Sequence, residues 1–497
     1  MHDFDVIVIG GGILGCFVAR NLAKHRLKTA VLEKREDLCT GISRANTAIV
    51  YSGYDTKPGT IKSQMCVRAA QSFESLCAEL AVRYKQCGSI MVCCGPKGEA
   101  TLLKKLSQGL ANGVRGLRLL DRDEILALEP KLCTNVRLGL YAPEAGTVIP
   151  WELGLAAAEN AVHNGVKIML NTKVTEIEKK KDGYVVYSEN TAFSARGVIN
   201  CAGMYADEIL EKLEKPSVRI FPNSGDYIVL DTKAGDYIQH VVFYEPEEKN
   251  KCLTLVPTVE GNILIGSTKN QSDEKDIFKT AGTGLEKLKT IISEIVPALP
   301  MEHVIRSFGA IRPNPYYVSF DSASGLYMPT EKAIHSFSII ESKENPAFLS
   351  LIGIKTPGLT CANELGCCAA DRMASMLGVE VNTDFRPKET APLRLNDLSF
   401  RERANLIKGN SAYGKIVCRC RNISAGEIIN SIHRHPGAVT VDGVKRRTGA
   451  SSGRCQGSFC TQRIMELLAR EENVSVDLVN KDGPGSDIIQ NEKKLKW

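Results

Sequence analysis

Four cysteines near the C-terminus stand as Cys418-Arg419-Cys420 and Cys455-Gln456-Gly457-Ser458-Phe459-Cys460, a C-x-C-x34-C-x4-C pattern. Two close pairs of thiols, separated by about the length of a helical hairpin, can converge on one centre. Thiolates select soft metals, chiefly iron–sulfur clusters or zinc. At the other end of the chain, Gly10, Gly12 and Gly15 follow the run Phe4-Asp5-Val6-Ile7-Val8-Ile9, whose pattern is that of a strand buried on both faces. Helical spacing from Ile13 and Leu14 to Lys24, a second strand from Lys28 to Leu32, and then Glu33 and Lys34 complete the unit, with Glu33 18 residues beyond Gly15. Gly10 permits a tight turn, Gly12 lets the backbone approach a pyrophosphate at the helix N-terminus, and Gly15 lets helix and strand pack closely. Glu33 is placed to accept hydrogen bonds from an adenosine ribose. The motif alone does not separate nicotinamide from flavin.

The elements that must position these groups fill a long chain. At 497 residues it suggests about three domains. Its 43% apolar and 24% charged composition is that of a globular protein, which sets aside disorder, collagen and coiled coil. The 63 basic and 57 acidic residues leave a net charge of only +6, which excludes a nucleic-acid binder and leaves small anionic ligands open. No apolar run reaches the roughly 18 residues that span a bilayer, and the first strand starts too near Met1 for a signal peptide. The chain therefore reads as cytoplasmic, at most peripheral to a membrane. Its 17 cysteines are an odd number scattered through a long sequence, the pattern of reduced thiols and metal ligands. Cys93, Cys94, Cys367 and Cys368 sit in apolar surroundings, where cysteine acts as a small hydrophobe.

Further along, the segment from Gly165 to Val174 leads into a β-hairpin pattern and then into Val198-Ile199-Asn200-Cys201-Ala202-Gly203. With the glycine turn, this resembles the D-amino-acid-oxidase-like superfamily of FAD enzymes. The resemblance runs on through Glu144-Ala145-Gly146-Thr147-Val148-Ile149-Pro150-Trp151, similar to the lead-in to that superfamily's crossing helix. It also includes Gly353-Ile354-Lys355-Thr356-Pro357-Gly358-Leu359-Thr360, similar to its flavin-contacting loop. It implies FAD as cofactor, with Val174, Ala202, Gly203, Gly353, Pro357, Gly358, Leu359 and Thr360 among its contacts. A helix from about Cys361 would turn its positive end toward the flavin.

The resemblance also makes 81–144 and 216–330 the inserted substrate domain. Arg312, in Phe308-Gly309-Ala310-Ile311-Arg312-Pro313, resembles the arginine with which many members hold a substrate carboxylate or phosphate, a task suited to a planar fork. Arg306 has the same parity, and Gly309 is the point at which a bulge would break their common face. Ser43-Arg44-Ala45-Asn46, with Tyr51-Ser52-Gly53-Tyr54 and Lys57 to Lys62, is similar to the flavin-facing segment of L-2-hydroxyglutarate and glycerol-3-phosphate dehydrogenases. Ser43 and Asn46 are thereby flavin contacts. Those families commonly carry histidine where Tyr51 stands, and membrane-bound glycerol-3-phosphate dehydrogenases carry arginine where Asp55 stands. Lys355, Tyr51 and Tyr54 join Arg312 as candidate catalytic residues.

The cysteine spacing, with Ser424-Ala425-Gly426-Glu427-Ile428 and Arg446-Arg447-Thr448-Gly449, resembles the bacterioferritin-associated-ferredoxin-like (BFD-like) [2Fe-2S] module that ends anaerobic glycerol-3-phosphate dehydrogenase subunits. It implies Cys418, Cys420, Cys455 and Cys460 as cluster ligands. Arg419, Arg421, Lys445, Arg446, Arg447 and Arg454 would then offset the cluster's negative charge, or else form a docking patch or a solvated face. The expected fold class is α/β: a Rossmann-like FAD-binding domain (1–80, 145–215 and 331–380), an inserted α+β substrate domain, a connector (381–412), a small helical iron–sulfur domain (413–470) and a loose polar tail (471–497). The expected activity is FAD-dependent dehydrogenation of a small anionic secondary alcohol, first glycerol 3-phosphate, then L-2-hydroxyglutarate, then an amino acid or opine. Electrons would leave through the cluster to a flavoprotein, a ferredoxin or a quinone-linked subunit. The alternative is a non-catalytic electron-transfer subunit.

Overall fold

The computed structural model describes residues 2–245, 253–272, 274–276, 279–342 and 344–489. Lys493, Lys494 and Trp497 of the polar tail lie outside the described residues.

The strand Phe4–Ile9 pairs in parallel with Thr29–Leu32 on one side and Ala192–Asn200 on the other. Lys167–Met169 and Phe348–Ile352 extend this parallel sheet at its two edges. The antiparallel hairpin Val174–Lys180 and Gly183–Ser188 joins along the first half of Ala192–Asn200. Alternation along a strand sends Val6 and Val8 to one face and Ile7 and Ile9 to the other. Val6 and Val8 pack with Val18, Leu22, Ala369 and Met373 from the helices Ile13–Leu22 and Ala362–Leu377. Ile7 and Ile9 pack with the hairpin residues Ile177 and Val186 and with Val218, Ile220 and Ile311. A strand apolar on both faces is thus a strand covered on both faces.

A ten-stranded sheet carries the substrate half. Its strands Ser89–Cys93, Arg118–Leu120 and Leu138–Ala142 come from the first insertion, and Val241–Tyr244 of the second pairs in parallel with Ser89–Cys93. Two long antiparallel strands, Val218–Leu230 and Val304–Asp321, bind this sheet to the first. Val218, Ile220 and Ile311 belong to the core of the nucleotide sheet, whereas Tyr227, Ile228 and Ala310 belong to the cores of the substrate half. Pairing runs unbroken from Arg312 opposite Asn223 to Arg306 opposite Val229, so no bulge forms at Gly309 and the two arginines share a face. They stand about 20 Å apart at the rise of a strand, and Arg306 reaches Gln456 instead of substrate space.

The C-terminal domain is a short hairpin, Ile416–Cys418 with Ile423–Ser424, followed by the helices Ala425–His433, Val441–Thr448 and Thr461–Glu472. Ile428, Ile432, Val444, Ile464 and Leu468 fill its core. The Ser424-to-Glu427 motif is a capping box: Glu427 N donates to Ser424 Oγ at 3.2 Å, and Glu427 Oε2 accepts from Ser424 N at 2.8 Å.

This domain is held to the others by charge. Asp37, in the loop that follows Glu33, has a side chain 0% exposed between Arg446 and Arg447, themselves 5% and 3% exposed, at 2.7–3.0 Å. Arg434 Nε donates to Glu159 at 2.7 Å, and Arg421 reaches Glu260 at 2.9 Å. These arginines are therefore docking residues, not counter-charges for the thiolates. The chain beyond 472 is not loose where it is described. Val479 is buried, Asn480 bridges to Asp487, and Asp482 binds both Arg44 and Arg446. The segment 381–412 likewise lies against the first domain, with Glu389 on Asn160 and Arg394 on Glu152, and contains the helix Phe400–Gly409. Cys93 is buried, while Cys94, Cys367 and Cys368 are only half-buried.

Asp37→Ala leaves two buried guanidiniums without their shared anion. It is expected to cost about 3–5 kcal/mol, read as a lower denaturation midpoint and faster proteolytic release of the C-terminal domain. Burial opposes ionisation of Asp37, but Arg447 and Arg446 outweigh it and bring the carboxyl from 3.8 to about 2. Its contribution is complete above 3.8 and is lost as pH falls toward 2, so acid unfolding should separate this domain in that window.

Candidate active site and cluster centre

The glycine turn is built around close approach. At Gly15 an added Cβ would lie 1.8 Å from the Gly10 carbonyl oxygen, and at Gly10, whose φ is +104°, it would lie 2.7 Å from that of Cys201. Gly12 caps the helix Ile13–Leu22 without a side chain, so the first-turn amides beyond Ile13 are left for an anion. Ser43 Oγ accepts from Ile13 N at 2.9 Å and ties the loop 41–46 to this turn. Glu33 Oε2 accepts from Gly11 N at 2.6 Å and Oε1 from Arg35 N at 2.9 Å. Burial raises the Glu33 carboxyl above the usual carboxylate range, and these two N–H groups hold it back.

From this turn a cavity of about 550 Å³ runs between the two large sheets. Gly10, Gly12, Ile13, Leu14, Glu33, Lys34, Ser43, Asn46, Ala202, Gly203, Gly353, Pro357, Gly358 and Leu359 line it at the nucleotide end and along its floor. Tyr51, Tyr54, Arg312 and Lys355 line its far end. Three candidates stand outside the wall. Gly15 supports the turn from behind, as its spacing implies. Thr360 acts through the backbone, its Oγ1 accepting from Tyr51 N at 3.0 Å. Val174 begins a strand whose register shifts between Val174 and Glu176, which brings its side chain into the core with Ile177 and Val186.

At the far end, Arg312 Nη2 donates to Tyr227 Oη at 3.1 Å and to Ser267 Oγ. Tyr227 is stacked on Phe308 with ring centroids 4.8 Å apart and planes 7° from parallel. Lys355 Nζ donates to Asn314 Oδ1 at 3.1 Å. Burial, together with Lys62, Lys269 and Arg312, draws the Lys355 ammonium below its usual pKa. Burial pushes the Tyr51 phenol up, so it stays a hydrogen-bond donor. Asp55, where an arginine was the alternative, is paired with Lys105, and both line the wall.

Sequence reasoning did not find Tyr227, Ser267, Glu245 or Asp276, all on the cavity wall. Tyr227 and Ser267 reach it through strand register, which local motifs do not encode. Asp276 faces Lys34 at 3.8 Å and Arg35 at 3.6 Å, while the Lys34 ammonium lies 3.7 Å from the centre of the Tyr205 ring.

The four C-terminal cysteines form two pairs in thiol–thiol contact, Cys418 with Cys460 and Cys420 with Cys455. Accepting from Cys460 draws Cys418 down to about 6, toward the thiolate that a metal requires. Among the described residues no group of three or more such side chains surrounds a single ion. Two pairs of thiols, two for each of two irons, are the donor set of a [2Fe-2S] cluster.

Comparison with known proteins agrees with both sites. The model of the FAD-dependent oxidoreductase family matches residues 5–372. The chain belongs to that family. The BFD-like [2Fe-2S] binding domain matches residues 416–470. A glycerol 3-phosphate dehydrogenase of Caloramator mitchellensis is 37% identical over 492 residues, covering 99% of each chain. The mitochondrial L-2-hydroxyglutarate dehydrogenase of Bos taurus is 31% identical over 281 residues, 53% of this chain and 60% of that one. Among solved structures, the FAD-bound L-alpha-glycerophosphate oxidase of Mycoplasma pneumoniae superposes with a TM-score of 0.69 at 24% identity, over 79% of this chain and all of the other. The cofactors of this FAD-dependent oxidoreductase are therefore FAD and a [2Fe-2S] cluster, and the cavity and the paired thiols fit them. Among the described residues no helix is long and apolar enough to cross a membrane.

Gly15→Ala places a methyl group within 1.8 Å of the Gly10 carbonyl oxygen and must open the turn. The variant is expected to purify without yellow colour, which the visible absorbance spectrum checks.

Proposed function

We propose that the chain oxidises glycerol 3-phosphate to dihydroxyacetone phosphate and delivers the electrons to a separate acceptor. The observation that carries this reading is a pair of cations at the far end of the cavity, Arg312 and Lys355. Neither is paired with a carboxylate among the described residues. Their hydrogen-bond partners, Tyr227, Ser267 and Asn314, are neutral, so the positive charge stays available to an anion. The full-length likeness to a glycerol 3-phosphate dehydrogenase supports phosphate as that anion.

FAD, when bound, would supply a hydride acceptor beside the carbinol carbon, and a [2Fe-2S] cluster would supply one-electron transfer outward. Arg312 offers its planar fork to the phosphate, oriented by Tyr227 and Ser267. Lys355 Nζ donates to the substrate oxygen or to the phosphate, and Tyr51 and Tyr54 supply hydrogen bonds at the same end of the cavity. Gly10, Gly12, Ile13, Leu14, Glu33, Lys34, Ser43 and Asn46 hold the nucleotide part of FAD. Ala202, Gly203, Gly353, Pro357, Gly358 and Leu359 hold the part nearer the reacting carbon, with Thr360 fixing the Tyr51 backbone. Val174 supports this wall from the core. Cys418, Cys420, Cys455 and Cys460 hold the cluster. L-2-hydroxyglutarate is the second reading, since its carboxylates suit the same cations and the Ser43 to Lys62 segment resembles both families.

Anaerobic addition of glycerol 3-phosphate should bleach the flavin absorbance, and faster bleaching by L-2-hydroxyglutarate would reverse the order of the two readings. An enzyme whose flavin no alcohol, hydroxy acid or amino acid bleaches would instead be an electron-transfer subunit. Arg312→Ala should raise KM on the order of 10- to 100-fold, the loss of one charge-assisted bidentate contact. Because Lys355 loses its proton below the ordinary lysine range, KM should rise as pH climbs through that lowered pKa, and Lys355→Arg should remove the rise. Cys455→Ser should abolish the cluster's electron paramagnetic resonance while substrate still bleaches the flavin.

A further inference from the structure

The cluster site is lopsided. Cys418 and Cys460 are each 1% exposed, whereas Cys420 is exposed and Cys455 half-exposed. Exposed or half-exposed side chains stand next to the ligands in sequence. Arg419 lies between Cys418 and Cys420, Arg454 precedes Cys455, and Phe459 precedes Cys460. Arg463 stands near the start of the helix Thr461–Glu472, one turn beyond Cys460.

Elsewhere the domain's arginines are spent on its docking: Arg421, Arg434, Arg446 and Arg447 all face carboxylates of the two larger domains. Arg419 and Arg463 are exposed and make no ion pair among the described residues. Arg454 touches Asp231 only at 3.7 Å and remains 57% exposed. Phe459 is 81% exposed, an aromatic ring in water beside a redox centre. Glu466, bonded to Gln462, is the nearest acid on the helix. Arginine and aromatic side chains together are the composition of a protein–protein contact, and uncompensated positive charge selects an acidic partner.

We propose that Arg419, Arg454, Phe459 and Arg463 form the docking surface for a small acidic iron–sulfur protein that carries one electron at a time. This rests on the dehydrogenase reading above and names its acceptor. The electrons balance: the alcohol loses two electrons and two protons, two carriers each accept one electron as their own ferric iron becomes ferrous, and the protons go to solvent. The carrier's potential must lie above that of the alcohol and ketone couple.

Rubredoxin, an acidic one-iron carrier, is the probe. Titration calorimetry of the holoenzyme should show rubredoxin binding at low ionic strength that weakens with salt. Phe459→Ser combined with Arg463→Glu should raise Kd by about tenfold or more, the scale of lost rim charge and anchor contacts. Iron content and flavin bleaching by glycerol 3-phosphate should be unchanged, since both substituted side chains point into solvent. An unchanged Kd in the variant overturns the proposal. So does absence of rubredoxin binding, tighter binding of basic cytochrome c, or binding to anionic phospholipid vesicles alone. Failure of glycerol 3-phosphate to bleach the flavin refutes the dehydrogenase reading instead, while rubredoxin affinity still reports on the surface.

Discussion

The most deeply buried of the ion pairs that join the two redox halves of this molecule is built on one carboxylate, Asp37. Asp37 belongs to the loop that leaves Glu33 and returns as Ser43 and Asn46, all three on the cavity wall. Arg446 and Arg447 of the cluster domain grip that loop from outside, and Asp482 closes a ring by binding Arg446 and Arg44 of the same loop. An ion buried this deeply is costly to desolvate and is tolerated only when its partners are fixed. Its presence means that the cluster domain has one seat. The loop lining the cavity and the helix carrying the arginines are parts of one charge cluster.

The second constraint is mechanical. The long strands Val218–Leu230 and Val304–Asp321 run from the core of the nucleotide sheet into the core of the substrate sheet, and the cavity lies along them. Their unbroken register sets Tyr227 opposite Phe308 and Arg312 opposite Asn223. The Arg312 fork on the cavity wall is therefore aimed by a rigid ribbon, and its stacked partner Tyr227 cannot swing without disturbing Phe308. A preorganised donor of this kind keeps its strength because nothing has to move when the substrate arrives.

Much of this was legible in the chain, and the reason differs from part to part. The glycine turn, the capping box at Ser424 and the cysteine spacing are local patterns whose geometry is fixed within a few residues, so their residue types announce them. Arg312 and Lys355 were visible through family likeness, and the fold brings both to one cavity end. Tyr227, Ser267 and Asp276 were hidden because each reaches the site through pairing or loop placement decided far away in sequence. The basic residues of the last domain were ambiguous for the same reason: Arg446 and Arg447 look like counter-charges until Asp37, about 400 positions earlier, is set beside them. The polar stretch after Glu472 looked like a loose end because Asp482 finds its partners in other domains.

That separation has a temporal side. Arg446 follows Asp37 by 409 positions, and a ribosome adding roughly 5–20 residues per second needs about 20–80 s to cover them. Throughout that interval the nascent polypeptide carries the acidic half of its lock without the basic half. The nucleotide sheet also waits, because Phe348–Ile352, its last parallel strand, is translated long after its first. Docking of the cluster domain is thus a late event, in which a domain translated long after the nucleotide turn fastens the loop beside it.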